Sequence, residues 1–407
     1  MWIWSCDLHH HSNNFSYFNM SLSFDQTPSP AFILEERLLR QNLELIASVQ
    51  QAAGVEIILA LKGFSMWSVF PFVKKYLSGA TASSLNEARL IYEEMGCKAH
   101  TYCVAYMPDE FEEIMKYSSH LVFNSVAQYE RFRPLLKRPV STSSANRSEA
   151  ISCGIRVNPE YSEVQTELYN PAAPGSRLGE VAPAFKNGLP EGIEGLHFHT
   201  LCESTSYDLE KTLVAFEEHF GYLLPQVKWV NMGGGHLMTR KGYNTAHLIE
   251  ILKKFKAKWG VDIILEPGSA IAWETGVLVS TVLDIHESRG VKTAICDISF
   301  TCHMPDTLEM PYRPRITGAS SEPLPGKPAY RIGGVSCLSG DYMKEYWFDK
   351  VLQKGDRLIL EDMIHYTMVK TSMFNGVRHP DICILRENGE LELVRRFGYV
   401  DYRDRLS

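Results

Sequence analysis

Residues Gly54–Ser65 read GVEIILALKGFS. The Val- and Ile-rich run stops at Lys62 and Gly63, the pattern of a buried strand that delivers one ammonium group to the end of a sheet. Two readings compete. A lysine commonly emerges into solvent where a strand ends, since Lys is almost never buried without a partner. A Schiff-base lysine instead needs its amine desolvated, and so less readily protonated, before it attacks a carbonyl.

Upstream, EERLLRQNLELIASVQQAAG carries apolar residues at helical spacing and ends at Gly54. Downstream, short apolar runs alternate with helical patterns. The runs are ATASS, HTYCVAY, HLVFNS, CGIRVNP, GLHFHTL, WVNMGGG and IILEPG; between them lie segments such as SLNEARLIYEEMG, PDEFEEIMKYS, YDLEKTLVAFEEHFGYL and TAHLIEILKKFKAKWG, several closed by Gly. With the strand before Lys62 this makes about eight βα units, the number that closes a TIM-type barrel. The expected fold is therefore α/β, a (β/α)8 barrel over residues 27–274 behind an N-terminal extension, 1–26. Past about residue 275 the helical patterns cease, and GVLVSTVLDIHES, VKTAICDISF, RLILEDM, YTMVKTS, ICILREN and LELVRRF predict a β-rich domain over 275–407 that holds Cys337, Tyr366 and Phe374. TGASSEPLPGKPAY reads as a surface loop.

The 407 residues, 45% hydrophobic and 22% charged, suffice for two domains and a large core. A formal charge of -7 argues against general affinity for nucleic acid or anionic lipid and suits a cationic ligand. The 9 cysteines are scattered without paired C-x-x-C motifs, which signals neither a zinc site nor a disulfide framework and fits reduced thiols in a cytoplasm. His9, His10 and His11 could ligate a metal, but adjacent histidines in a polar segment read as solvated, and no metal is expected. The N-terminus has neither the basic region nor the apolar run of a signal peptide, and no segment approaches transmembrane length. Because Met20 opens a more typical start, the first nineteen residues are expected to add little to the fold.

In a barrel, chemistry sits at the C-terminal ends of the strands, where Lys62, His199, Gly233, Gly234, Gly235 and Glu266 all fall. The glycines of NMGGGH could close their N–H groups on an anion such as phosphate. Glu266 in LEPG is costly facing inward unless paired with a cation or a protonated heterocycle; a helix cap or surface turn is the competing account. His197 and His199 share one side of a strand, and either could stack on a flat ring or be a satisfied core histidine. GGVSCLSGD and MVKTSMFNG add Cys337, Asp341 and Phe374, with Tyr366 just upstream.

The order of these groups along nearly the whole chain from about Thr27 resembles the fold type III pyridoxal phosphate decarboxylases, the alanine racemase-like group. GLHFHTLCE, DISFTCHMPDTLEMPYRP and GVSCLSGDYM are similar, more narrowly, to the carboxynorspermidine/carboxyspermidine decarboxylases. The resemblance implies pyridoxal 5'-phosphate held covalently by Lys62, its ring nitrogen kept protonated by Glu266, His199 stacked on the ring, and the phosphate held by Gly233, Gly234, Gly235 and Tyr366. It implies Cys337 as proton donor to the decarboxylated carbon, contributed across the interface of a homodimer with shared sites. Two departures stand out. Ser269 follows Gly268 where many relatives have arginine, so it either leaves phosphate binding to the other groups or faces the substrate; Leu338 follows Cys337 where the ornithine and diaminopimelate enzymes have an acidic residue. With Leu338 there, the short substrates lose a partner for their charged ends, and a polyamine acid suits better. Asp306 and Glu309 are the preferred pair to meet its distal amines, or else a solvated acidic loop, with Asp341 and Glu203 as further candidates. The alternatives are a diaminopimelate or other basic amino-acid decarboxylase, and a non-catalytic cofactor-binding relative; Glu266 argues against an alanine racemase, which presents arginine to the ring nitrogen.

Overall fold

The structure, a computed structural model, describes residues 24–136, 150–310 and 312–407. The expectations for His9, His10, His11 and the start at Met20 lie outside the described residues. Strand β1 (Ala31–Glu35) leads directly into a helix, Glu36–Ala53. Leu38, Leu39, Leu43, Ile46, Val49 and Ala53 recur on its buried face, and Gly54, at φ 66°, ends it with its N–H on the Gln50 carbonyl.

The eight runs read from the sequence form a closed parallel barrel: β2 (Glu56–Ala60), β3 (Gly79–Ala82), β4 (Ala99–Cys103), β5 (Ser118–Phe123), β6 (Ser152–Arg156), β7 (Ile193–His197), β8 (Trp229–Asn231) and β9 (Asp262–Leu265). Ile57 lies opposite Leu265, which closes β2 on β9. Inside, Ile58, Val122, Trp229 and Ile264 form a small core of their own. Trp229 fills most of it. A Cβ on Gly195 would lie 2.1 Å from the indole and one on Gly154 2.3 Å from it, so β6 and β7 present glycines where β8 presents the largest side chain. The indole Nε1–H donates to Ser152 Oγ at 2.9 Å. Gly195→Ala should destabilise the protein by about 1–3 kcal/mol or more, the usual cost of overpacking. Gly79→Ala, whose Cβ would meet its nearest neighbours at 3.9 Å and 4.0 Å, should melt close to wild type. Equal melting of the two variants in urea would show that the indole does not fill this space.

The second domain is built on a nine-stranded sheet. Its strands are β10 (Gly276–Ser288), β11 (Val291–Cys296), β12 (Ala319–Ser320), β13 (Ala329–Gly333), β14 (Tyr342–Phe348), β15 (Arg357–Glu361), β16 (Asp381–Leu385) and β17 (Leu391–Arg395), together with β1. The order is β12-β14-β13-β11-β10-β1-β16-β17, and β15 also pairs with β10. Three details depart from the sequence reading. β1, read into the barrel segment, lies antiparallel to β10 and parallel to β16; a short apolar strand before a helix has the same pattern in either place. YTMVKTS is not a strand: Tyr366 takes φ 47° and Met368–Lys370 form a 3-10 turn, because the Tyr366 N–H is spent on the Gly63 carbonyl of the barrel. The expected loop TGASSEPLPGKPAY contains β12 and the start of β13. No helix among the described residues is long and apolar enough to cross a membrane.

Candidate active site

Lys62 stands in a tight turn after β2. Gly63 and Phe64 both donate to the Ala60 carbonyl, Leu61 donates to Thr81 O and Ala60 to Pro267 O, so the turn is fastened to the next strand and to the loop after β9. A Cβ on Gly63 would lie 2.7 Å from Gly268 Cα; the two glycines let these loops touch, with Ser269 beside them at the start of the short helix Ser269–Ala272. The Lys62 side chain is exposed at the end of the barrel, but protein encloses its amine on the other sides. That enclosure, and next the like charge of Arg156, hold its pKa below the ordinary lysine range against the opposing pull of Cys202, Glu266 and Glu87.

The ends of β7, β8 and β9 meet on one hydrogen-bonded turn. Gly233 and Gly235 have φ of 67° and 89°, and Cβ atoms on Gly233, Gly234 and Gly235 would lie 2.3–2.6 Å from the carbonyls of Phe198, Glu266 and Leu201. Only part of this turn is left for an anion. The Gly233 N–H donates to Asn231 Oδ1 at 2.8 Å and the Gly234 N–H to His199 Nδ1 at 2.8 Å, whereas the Gly235 N–H has no partner among the described residues. The bond from Gly234 makes His199 Nδ1 an acceptor, and burial keeps the imidazole neutral, well below its usual pKa. His199 thus offers a flat, uncharged ring with its remaining proton on Nε2. His197 is fully inside the barrel end, its Nε2 3.8 Å from Glu266 Oε2, and burial keeps it neutral too. Glu266 Oε1 accepts from Asn231 Nδ2 at 2.7 Å. Burial raises the Glu266 pKa, while hydrogen bonds from Asn231 and Thr81 and the charges of Arg156 and Lys62 oppose the rise. Arg156 is itself buried, 4.8 Å from the centre of the Tyr102 ring, with Nη2 donating to His199 O at 3.1 Å.

From the second domain, the Tyr366 N–H donates to Gly63 O at 2.7 Å and its ring centre lies 6.0 Å from Lys62 Nζ. His365 stacks on Trp273, with ring centres 5.4 Å apart, and its Nε2 is 3.2 Å from Asp362 Oδ2. Asp306 Oδ2 accepts from Tyr312 at 2.6 Å and Thr367 at 2.8 Å, while its buried Oδ1 has no partner. Glu309 is ion-paired to Lys370. Glu203, at φ 48°, is exposed beside Cys202. Asp341, a candidate for substrate contact, is engaged within the subunit: Oδ2 accepts from Ser336 N and Oγ, and Oδ1 from Thr301 N, so the carboxylate ties down the loop that carries Cys337. Cys337 is exposed, its N–H on Asn375 Oδ1 at 2.9 Å beside exposed Phe374; none of its contacts within the subunit reaches Lys62, His199 or Glu266. Among the described residues no group of His, Cys, Asp and Glu could hold a metal ion.

The family described as pyridoxal-dependent decarboxylase, C-terminal sheet domain, matches residues 21–364. The chain belongs to the pyridoxal-dependent decarboxylases. It is 52% identical over 381 residues to a carboxyaminopropylagmatine decarboxylase of Synechocystis, covering 93% of this chain and 96% of that one. It is 43% identical over 389 residues to a carboxynorspermidine/carboxyspermidine decarboxylase of Campylobacter jejuni, covering 93% and 98%. A crystal structure of carboxynorspermidine decarboxylase complexed with norspermidine from Campylobacter jejuni superposes with a TM-score of 0.84 over 93% of this chain and 100% of that one. This decarboxylase is a carboxy-lyase of the fold type III group and uses pyridoxal 5'-phosphate. The residues in place fit that cofactor: a lysine amine below its usual pKa, a buried carboxylate, a neutral imidazole and a cradle that any Cβ would fill. Arg156, Asn231, Cys202 and Glu87 carry no mark in the sequence reading, although Arg156 ends the apolar run of CGIRVNP as Lys62 ends that of GVEIILALKGFS, and Asn231 lies within WVNMGGG.

Proposed function

We propose that this decarboxylase acts on carboxynorspermidine and/or carboxyspermidine in polyamine biosynthesis, yielding norspermidine or spermidine. The observation that carries the reading is the convergence, at one end of the barrel, of Lys62 in its fastened turn, the His199 ring set by the Gly234 N–H and the Glu266 carboxylate held by Asn231. When bound, pyridoxal 5'-phosphate supplies an electron-withdrawing ring that takes up the electron pair released with CO2. Lys62 would hold the cofactor covalently, and its lowered pKa raises the share of free amine that this requires. Glu266 would hold a proton at the ring nitrogen. His199 would offer its flat, neutral ring to the cofactor, and the Gly235 N–H and the Tyr366 region would take the phosphate, with Ser269 beside them. The Cys337 thiol would supply the proton for the α-carbon.

Within one subunit Cys337 faces solvent, ringed by exposed Val335, Leu338 and Phe374. A second copy that covers this apolar rim would bring the thiol to its partner's site, which supports a homodimer with shared sites. Free cysteines throughout the described residues support a reducing cytoplasm.

For the substrate's distal cations, Asp306 offers a buried unpaired oxygen and Glu203 an exposed carboxylate. Glu309 is available only if a substrate cation takes the place of Lys370. A second reading, carboxyaminopropylagmatine, is favoured by the 52% identical relative and differs in ending in a guanidinium. The test is kcat/KM for all three polyamine acids beside meso-diaminopimelate and ornithine. We expect each short amino acid to fall at least about 100-fold below the best polyamine acid, because its charged end would be left without a partner. A value for diaminopimelate or ornithine at or above those of the polyamine acids would overturn the reading, and a clear lead for carboxyaminopropylagmatine would select the second.

A further inference from the structure

Asn231 is 1% exposed and both ends of its amide are committed. The Gly233 N–H is a donor and can face only Oδ1, so Nδ2 is turned toward Glu266 Oε1, 2.7 Å away. The amide therefore cannot flip without placing two donors face to face on one side and two acceptors on the other. A donor held against Oε1 leaves that oxygen as an acceptor and favours the carboxylate over the carboxylic acid. The same glycine turn sets His199 through the Gly234 N–H. The turn thus spends two of its three N–H groups on orienting side chains.

We propose that Asn231 is a positioning residue: it ties the glycine turn to Glu266 and keeps that carboxylate ionised, so that the proton shared with the cofactor rests on the ring nitrogen. The inference rests on the reading of Glu266 as the partner of that nitrogen. Burial drives Glu266 toward its protonated form, and the Asn231 bond is the first of the influences that oppose it. Without the bond, carboxyl and ring nitrogen compete for one proton and the carboxyl gains. The loss would be felt as a weaker electron sink, not as lost cofactor.

Asn231→Ser separates this role from shaping the turn. A serine hydroxyl can accept from the N–H two residues on, as the asparagine does, but is too short to reach Glu266. Wild type, Asn231→Ser and Glu266→Gln would be loaded with pyridoxal 5'-phosphate labelled with 15N in the ring, and the ring-nitrogen signal followed by NMR. We expect wild type to show a protonated nitrogen and both variants a signal moved toward the unprotonated one. Asn231→Ser should retain the cofactor through dialysis, with kcat/KM down about tenfold or more, the scale of losing a partner that orients a functional group. Added to Glu266→Gln, Asn231→Ser should cost less than about a further twofold, because the two act as a unit. A shifted signal in Glu266→Gln but a wild-type signal in Asn231→Ser would overturn the role of Asn231 alone. An unshifted signal in Glu266→Gln would overturn the reading of Glu266 and this inference with it. If the serine variant folds poorly, Asn231→Thr carries the same hydroxyl on a better strand former and is read in the same way.

Discussion

Lys62→Ala is expected to abolish turnover, with kcat down by about 10⁴-fold or more, as for removal of a covalent group elsewhere. The fold should survive. The side chain is exposed and not part of the packed core, and the turn around it is held by main-chain bonds to Ala60, Thr81 and Pro267 that an alanine keeps. Thermal melts of the apoprotein should therefore match wild type, while borohydride should fix no cofactor to the variant. Cofactor trapped at another lysine, found by peptide mass mapping, would refute the assignment.

Cys337→Ala should leave cofactor loading intact but slow protonation of the α-carbon by about 10²- to 10⁴-fold, the usual reach of general acid catalysis. Its packing cost should be small, since Cys337 is exposed and the loop's shape is set by Asp341. Mixing this variant with Lys62→Ala under conditions of subunit exchange should restore about a quarter of wild-type activity, because half of randomly assorted dimers are mixed and each then carries one intact site of two. Absence of recovery despite exchange shown by mass spectrometry would mean that Cys337 does not act across an interface.

The barrel was legible because a buried parallel strand writes an unbroken apolar run, and eight such runs stood between helical patterns. β1 was misplaced because AFILE before a helix carries the same signal whichever sheet receives it; only its partners, Gly276–Val279 and Asp381–Leu385, distinguish the two, and those are far away in sequence. The Tyr366 segment resembled a strand by composition, while the bond from its N–H to Gly63 is a tertiary fact with no local signature. At the site, residue types that name their own chemistry stood out: a lysine, a carboxylate, glycines. What the structure adds is who holds whom. Asn231 was hidden by the glycines it serves, and the hold of Asp341 on the Cys337 loop by its exposed-looking neighbourhood in GVSCLSGDYM.

The indole of Trp229 beneath Gly154 and Gly195 also bears on how the chain can be cut or assembled. Its neighbours Ile58, Val122 and Ile264 come from β2, β5 and β9 and its glycine walls from β6 and β7, so the two halves of the barrel share one filler: a fragment ending before residue 229 leaves Ile58 and Val122 facing a hole the size of an indole, and a fragment beginning after residue 123 leaves the indole without two of its neighbours. Neither half has an interior of its own. The barrel should therefore not divide into autonomous halves, and proteolytic nicking in the connections between β6 and β8 should release unfolded material and no stable half-barrel intermediate.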